Sequence, residues 1–100
     1  MMTIFSTLQA TGLPCAYSHF KTKQQPPYIV YKGNGQDVFE ADNTHYWKRN
    51  AYQIEYYFTE KNESNEASIE SALLDAGFLY EKSEDIFIDS EGVFLIYYYV

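Results

Sequence analysis

The residues with the greatest potential for chemistry are two histidines and one cysteine. His19 and His45 are the only histidines, and Cys15 is the only cysteine. A zinc site needs several such ligands at close spacing, and the sequence contains no H-x-x-H, H-E-x-x-H or C-x-x-C motif. Cys15 follows Leu13 and Pro14 at an expected strand entrance, so we interpret it as a buried, unreactive thiol. We therefore expect no catalytic residue, no metal ligand and no cofactor-binding residue.

Two further patterns suggest binding chemistry and favour a simpler interpretation. The carboxylates between residues 81 and 91 could coordinate calcium, but their spacing does not follow that of an EF-hand loop. Because they alternate with Phe87 and Ile88, they are typical of strand edges and turns that face solvent. The glycine-rich stretch 33–36 lacks the lysine and the following helix of a phosphate-binding loop. Its Asn-Gly pair instead predicts a tight hairpin turn.

The composition is that of one globular domain. The chain has 100 residues, of which 46% are hydrophobic and 21% are charged, and this balance excludes a disordered polypeptide. Eleven of its residues are tyrosines, whose rings and hydroxyls suit half-buried sheet faces and contact surfaces. A single cysteine excludes an internal disulfide, and no secretory signal pattern is present, so we expect a cytoplasmic protein. The apolar C-terminal stretch is too short to cross a membrane as a helix.

The charge is unevenly distributed between the two halves of the chain. Residues 1–50 contain five basic and three acidic side chains, a balance of +2, and residues 51–100 contain two basic and eleven acidic ones, a balance of −9. Phosphate groups are repelled by such an acidic half. We therefore expect no tight binding of nucleic acid.

The N-terminal half predicts one short helix followed by strands. Apolar residues at helical spacing indicate a helix over residues 2–11, which ends before Gly12 and Pro14. Residues 15–20 are interpreted as a short strand or an extended lead-in. Residues 28–31 are β-branched and aromatic, and residues 37–41 are expected to return beside them as the second strand of a hairpin. Residues 42–44 predict another turn.

The C-terminal half predicts a long strand, a helix and further strands. In the strand that ends near residue 60, Tyr52, Ile54, Tyr56 and Phe58 alternate with residues expected to face water, apart from Tyr57. The helix begins at Asn62 or Ser64 and ends at Gly77, with its buried stripe at Ile69, Ala72, Leu73 and Ala76. The predicted fold is α+β: an antiparallel sheet with two helices packed on one face, in the order helix, three strands, helix, two or three strands.

The final strand is apolar on both of its faces. Val93, Leu95, Tyr97 and Tyr99 alternate with Phe94, Ile96, Tyr98 and Val100. Two helices can cover only one side of a small sheet, and large exposed apolar patches are rare on monomers. The other side must be covered by a folded-back loop or by another subunit, and we favour the subunit. Replacing Tyr98 with Glu is then expected to abolish assembly and to leave a folded monomer.

A resemblance to a known family supports this interpretation. The stretches LQATGLPCAYSHF, PPYIVYKGNGQDVFEADN, YQIEYYFTEKNE and GFLYEKSEDIFI, together with VFLIYYYV, resemble small structural proteins of long-tailed bacteriophages that infect Gram-positive hosts. The likeness is to the head–tail joining and tail terminator group, and it covers nearly the whole chain. It rests on general pattern, and the group has no catalytic motif to transfer.

The resemblance implies a non-enzymatic virion assembly protein that forms a ring, commonly sixfold, at the end of the tail tube. The implied partners are copies of itself and other phage tail or neck proteins, with no membrane partner. The implied location is the host cytoplasm during assembly and then the virion. The acidic half would line a passage through which DNA slides. We expect contacts from the tip 33–36 or the loop 43–50, and from the following interface residues: Tyr57, Phe94, Tyr98, Val100, Asn34 and Gly35.

Two other classes of function compete with assembly. The carboxylates of residues 55–91 suit an acidic inhibitor that mimics DNA and blocks a host nuclease or restriction enzyme. Such a protein would inhibit in solution and would form no ring. A small enzyme or ligand-binding domain would require converging polar groups in a pocket, which the sequence does not display.

Overall fold

The computed structural model describes the backbone of residues 3–41 and 45–100, and the side chains of this part outside 37–49. The fold class is α+β, as predicted. Its elements in chain order are α1 Ile4–Gln9, β1 Cys15–Tyr17, β2 Tyr28–Ala41, β3 His45–Phe58, α2 Glu63–Asp75, β4 Glu81–Lys82, β5 Ile86–Ile88 and β6 Val93–Tyr99.

Both predicted helices are present, and local capping determines where they begin. In α1, the Thr3 side chain accepts a hydrogen bond from the Ser6 backbone N–H, and the Ser6 hydroxyl accepts one from the Thr3 backbone N–H. In α2, the Asn62 side chain accepts a hydrogen bond from the Asn65 N–H. These interactions satisfy N–H groups that have no partner within the helix. Gly77 follows α2 with a φ of +88°, the conformation that ends many helices.

The strands form one mixed sheet. Its order is β1-β2-β3-β6-β4, and β5 also pairs with β6. The pair β1–β2 is parallel, and every other strand pair is antiparallel. The prediction of an antiparallel sheet was therefore wrong at this edge. The reason lies in residues 18–27, a long connection that returns the chain to start β2 in the same direction as β1.

The predicted hairpin at the Asn-Gly pair is absent, and one long strand runs through it. Asn34 and Gly35 lie in an irregularity between Gly33 and Gln36 where the register of β2 shifts against β3. Gly35 has a φ of +81°, which a β-bulge accommodates as readily as a turn does. Residues 37–41 therefore pair with 45–49 and not with 28–31. The predicted turn at 42–44 lies outside the described residues.

The core lies between the sheet and both helices. Ile4 and Leu8 of α1 and Ile69 and Leu73 of α2 belong to one buried cluster with a single face of the sheet. That face is completed by Ile29 of β2 and by side chains that alternate along β3 and β6 as predicted: Ile54, Tyr56, Phe58, Ile96, Tyr98 and Val100. The two helices therefore share one face of the sheet, as predicted.

The final strand β6 is largely buried by this chain alone. On the helix side, Ile96 and Tyr98 are 0% exposed and Val100 is 7% exposed, while on the other side Val93 and Leu95 are 8% and 4% exposed. The prediction that another subunit must cover this strand is thus not supported. It overlooked the neighbouring strands: Leu95 lies between Tyr57 of β3 and Ile86 of β5, and Val93 pairs with Ile88.

Candidate interaction surface

The residues that could have been nucleophiles have ordinary surroundings. Burial raises the pKa of the Cys15 thiol, whereas a nucleophilic cysteine needs a lowered pKa. His19 is exposed, and its Nδ1 lies 3.2 Å from the Ser18 hydroxyl. Among the described residues, no group of three or more His, Cys, Asp or Glu side chains could hold a metal ion. The side chain of His45 lies outside the described part of the chain.

A cluster of charged groups connects α2 to β4, and the sequence analysis missed it. Glu66 is 3% exposed, and its carboxylate lies 2.8 Å from Lys61 Nζ and 2.9 Å from Lys82 Nζ. Lys61 also lies 3.0 Å from Asp85. Since a buried carboxylate is stable only when it is paired, this cluster fixes β4 against the helix. Spacing along the chain could not reveal it, because the partners come from separate elements.

Glu70 extends the same cluster to the core tyrosines. Its carboxylate accepts hydrogen bonds from Tyr98 at 2.7 Å and Tyr80 at 3.2 Å, and it lies 2.9 Å from Lys82 Nζ. Burial raises the pKa of Glu70, but hydrogen bonds from Lys82 and Tyr98 outweigh it, so the net pKa lies below its ordinary value. Burial and the bond to Glu70 raise the pKa of Tyr98. The arrangement keeps the Glu70 carboxylate charged and connects α2 to Tyr80, Lys82 and Tyr98.

The side chains on the sheet face opposite the helices are less exposed to solvent than predicted. Glu55 lies at its centre and is 8% exposed. Its carboxylate accepts hydrogen bonds from Tyr57 at 2.6 Å and from Gln53 at 2.8 Å, and Lys32 Nζ lies 3.8 Å away. Burial, and then the bond to Glu55, raise the pKa of Tyr57. We call this side the open face, and it contains Tyr28, Val30, Glu55, Tyr57, Val93, Leu95 and Tyr97.

The predicted contact residues on the sheet divide into buried and half-buried ones. Tyr98 and Val100 lie in the core cluster and are 0% and 7% exposed, so they present little surface to a partner. Phe94 is half-buried, and its ring stacks on Phe58 at 5.4 Å between centroids. Tyr57 is half-buried on the open face, and it stacks on Tyr28 at 5.0 Å. Of these four residues, Phe94 and Tyr57 therefore keep side-chain surface that a partner could contact.

The predicted contact residues Asn34 and Gly35 are exposed, and they lie at the base of a projection. We call residues 33–50 the arm. β1 pairs with residues 29–31 of β2, and β6 pairs with residues 53–58 of β3. Beyond these points, the described ladder of β2 and β3 has no third strand beside it. The arm therefore leaves the body of the protein as a two-stranded ribbon.

The dimensions of the molecule reflect this ribbon. The principal extents are 50, 27 and 25 Å. The eight residue steps between Gly33 and Ala41 span about 26 Å at roughly 3.3 Å per residue. This length accounts for the difference between the longest extent and the two shorter ones. At the base, the Gln36 side chain donates a hydrogen bond to the Asn50 side chain at 2.9 Å. The ladder then pairs Phe39 with Trp47 and Ala41 with His45.

Two grooves flank the sheet. The open-face groove is a cleft of about 690 Å³ at the end of the sheet where β2 begins. Its floor contains Tyr28, Val30, Tyr57 and Val93, and its walls are residues 18–26 and the turn 90–92. The arm-base groove is smaller, about 470 Å³, and it includes Asn34 and the exposed side chains of Leu79 and Tyr99.

The comparisons with known proteins add no assignment. Neither a protein-family model nor a curated protein matches the chain. None of the helices in the described ranges is long and apolar enough to cross a membrane.

Proposed function

We propose that this chain is a non-enzymatic assembly protein of a bacteriophage virion, a tail terminator or head–tail joining subunit that forms a ring. The observation that carries the proposal is the arm. An isolated two-stranded ribbon is marginally stable in water and gains most from packing against another surface. A ribbon of this length that leaves the body is therefore typical of a protein that completes its fold by contact with a neighbour.

The family likeness supports the same proposal independently of the arm. It implies a small α+β protein with a helix, strands, a helix and strands, and the described elements follow that order in outline. It also implies copies of the same chain as the main partners, together with other tail or neck proteins. The apolar pattern of β6, by contrast, gives no support of its own, because most of the side chains of this strand are buried within the chain.

The competing DNA-mimic function has weaker support. A DNA mimic presents its carboxylates to solvent at spacings that imitate phosphates. Four carboxylates of the acidic segment are engaged within the chain instead: Glu55 on the open face, Glu66 and Glu70 beside Lys82, and Asp85 beside Lys61. This leaves the assembly function as the better explanation of both the acidic charge and the arm.

Sedimentation velocity over a range of concentrations, followed by electron microscopy of the largest species, tests the proposal. We expect a closed ring of defined size, and no DNA binding at physiological salt. A chain that stays monomeric at every concentration would contradict the proposal. Inhibition of a restriction enzyme or nuclease by that monomer would support the DNA-mimic function in its place.

A further inference from the structure

The open face lacks a covering layer among the described elements. Both helices lie on the other side of the sheet. Val30 and Leu95 are buried at 6% and 4% exposure, but the tyrosines Tyr28, Tyr57 and Tyr97 are only half-buried. A surface of half-buried aromatic rings around apolar side chains has the composition of an interface core.

The groove and the tip of the arm lie at opposite ends of the same two strands. Tyr28 and Tyr57 pair at the groove end of the β2–β3 ladder, and Ala41 and His45 pair at the far end. The thirteen residue steps from Tyr28 to Ala41 correspond to about 43 Å at roughly 3.3 Å per residue. An arm therefore cannot fold back into the groove of its own chain, but the arm of a second molecule can enter it.

The sequence of the arm fits such a groove. The arm contains the apolar residues Val38, Phe39, Tyr46 and Trp47, and Trp47 is the only tryptophan in the chain. Tryptophan and tyrosine are the side chains that most often anchor interfaces. The groove offers the rings of Tyr28 and Tyr57 on its floor, with Phe20 at 5.3 Å from Tyr28 in its wall. Its remaining walls contain hydroxyl and amide groups that can pair with a ribbon edge.

The geometry points to a head-to-tail contact in which the arm of one copy binds in the open-face groove of the next copy. This inference rests on the proposed function, because it requires self-assembly, and it adds which two surfaces meet. A contact between two different patches is heterologous, and its repetition gives a ring when the rotation closes. The contact stabilises both partners, since it covers the open face of one chain and the marginal ribbon of the other.

Arginine introduced at Ser90 tests the contact. Ser90 is exposed in the groove wall, so Ser90→Arg fills the groove without disturbing the core. We expect it to weaken self-association at least about tenfold, the scale of losing an anchor contact. Ser71→Arg is the matched control, since Ser71 is exposed on α2 away from the groove. Leu79→Arg blocks the arm-base groove and should also leave association intact.

Fluorescence of Trp47 reports on the arm directly. As the native chain associates, the emission of Trp47 should shift to the blue because the groove of the next copy encloses the arm. The shift should persist in Ser71→Arg and Leu79→Arg and be lost in Ser90→Arg at the same concentration. If Leu79→Arg abolishes association and Ser90→Arg does not, the groove assignment is overturned.

A mixing experiment tests the arm and the open-face groove separately. In the shortened-arm variant, residues 37–49 are replaced by Asn-Gly, which closes a two-residue hairpin between Gln36 and Asn50. It keeps the groove and lacks the arm, whereas Ser90→Arg keeps the arm and lacks the groove. We expect each to be monomeric alone and the two to form a one-to-one dimer when mixed, because the arm of Ser90→Arg can enter the intact groove of the shortened-arm variant. The shortened-arm variant should likewise bind Ser71→Arg chains and cap them.

The outcomes distinguish this inference from the proposed function. Rings from the native chain that persist in Ser90→Arg would overturn the arm–groove contact and leave the assembly function in place. A native chain that never associates would overturn both. Failure of the shortened-arm variant to cap Ser71→Arg chains would overturn the inference alone.

Discussion

At the scale of single residues, Tyr98 illustrates the difference between an apolar pattern and a contact surface. The alternation along β6 correctly placed Tyr98 opposite Tyr97, but it could not show that the Tyr98 hydroxyl reaches Glu70 of α2 at 2.7 Å. That bond joins residues distant in sequence, so no local pattern encodes it. The residue predicted to contact a partner instead connects the sheet to a helix.

We expect Tyr98→Phe to destabilise the fold and leave assembly unchanged. Loss of a hydrogen bond to a charged carboxylate costs about 1.5–3 kcal/mol, measurable by urea denaturation. Tyr98→Glu should unfold the chain, because it places a second carboxylate in the core beside Glu70. A folded Tyr98→Glu monomer would contradict the placement of Tyr98 in the core. Such a monomer is expected only if Tyr98 lies on a contact surface.

The pKa of Glu70 predicts a loss of stability in acid. Its folded pKa is lowered from 4.5, so its contribution is present above about pH 4.5 and is lost as the pH falls through the lower folded value. Glu70→Gln should therefore lower the free energy of unfolding near pH 7 by about 1–3 kcal/mol, and the difference should shrink at acidic pH. Urea denaturation at several pH values measures it; a constant difference would contradict the lowered pKa.

At the scale of elements, both helices and the face of β3 could be predicted from the sequence. Asn62, Gly77 and the spacing of Ile69 and Leu73 defined α2, because capping and helical periodicity are local. Residues 28–31 and 37–41 were predicted as strands, but their continuity in β2 could not be predicted, since Asn34-Gly35 suits a hairpin turn and a bulge equally well. Choosing between them depends on whether residues 28–31 or 45–49 pair with 37–41, which is a non-local property.

Glycine substitutions test the bulge at the base of the arm. Gly35 has a φ of +81° with open space around its missing Cβ, so Gly35→Ala should cost about 1–2 kcal/mol through backbone strain alone. Gly33 shows no such φ, and an added Cβ would lie 3.8 Å from the Tyr17 hydroxyl, an ordinary contact. Hydrogen exchange should therefore accelerate at arm amides in Gly35→Ala and not in Gly33→Ala. Equal exchange in both variants would contradict the bulge geometry.

At the scale of the whole molecule, the sequence correctly indicated the α+β fold class, whereas the surface through which the chain contacts a partner stays a prediction. The apolar final strand is largely buried by its own chain, and the described surface includes the base of the arm and the two grooves. Of the predicted contact residues, Asn34 and Gly35 are at the arm's base, Tyr57 is in the open-face groove, and Phe94 is half-buried. Their relation emerges only from the sheet order, which composition and periodicity do not determine.

The measurement that tests this account most directly is sedimentation of the shortened-arm variant beside the native chain. The described side chains of the core come from α1, α2 and the parts of the sheet outside the arm, so circular dichroism and the urea midpoint of the body should be retained. The account predicts that the native chain associates and that the shortened chain sediments as a monomer at every concentration. A shortened chain that still forms the native assembly would contradict the claim that the arm joins the subunits.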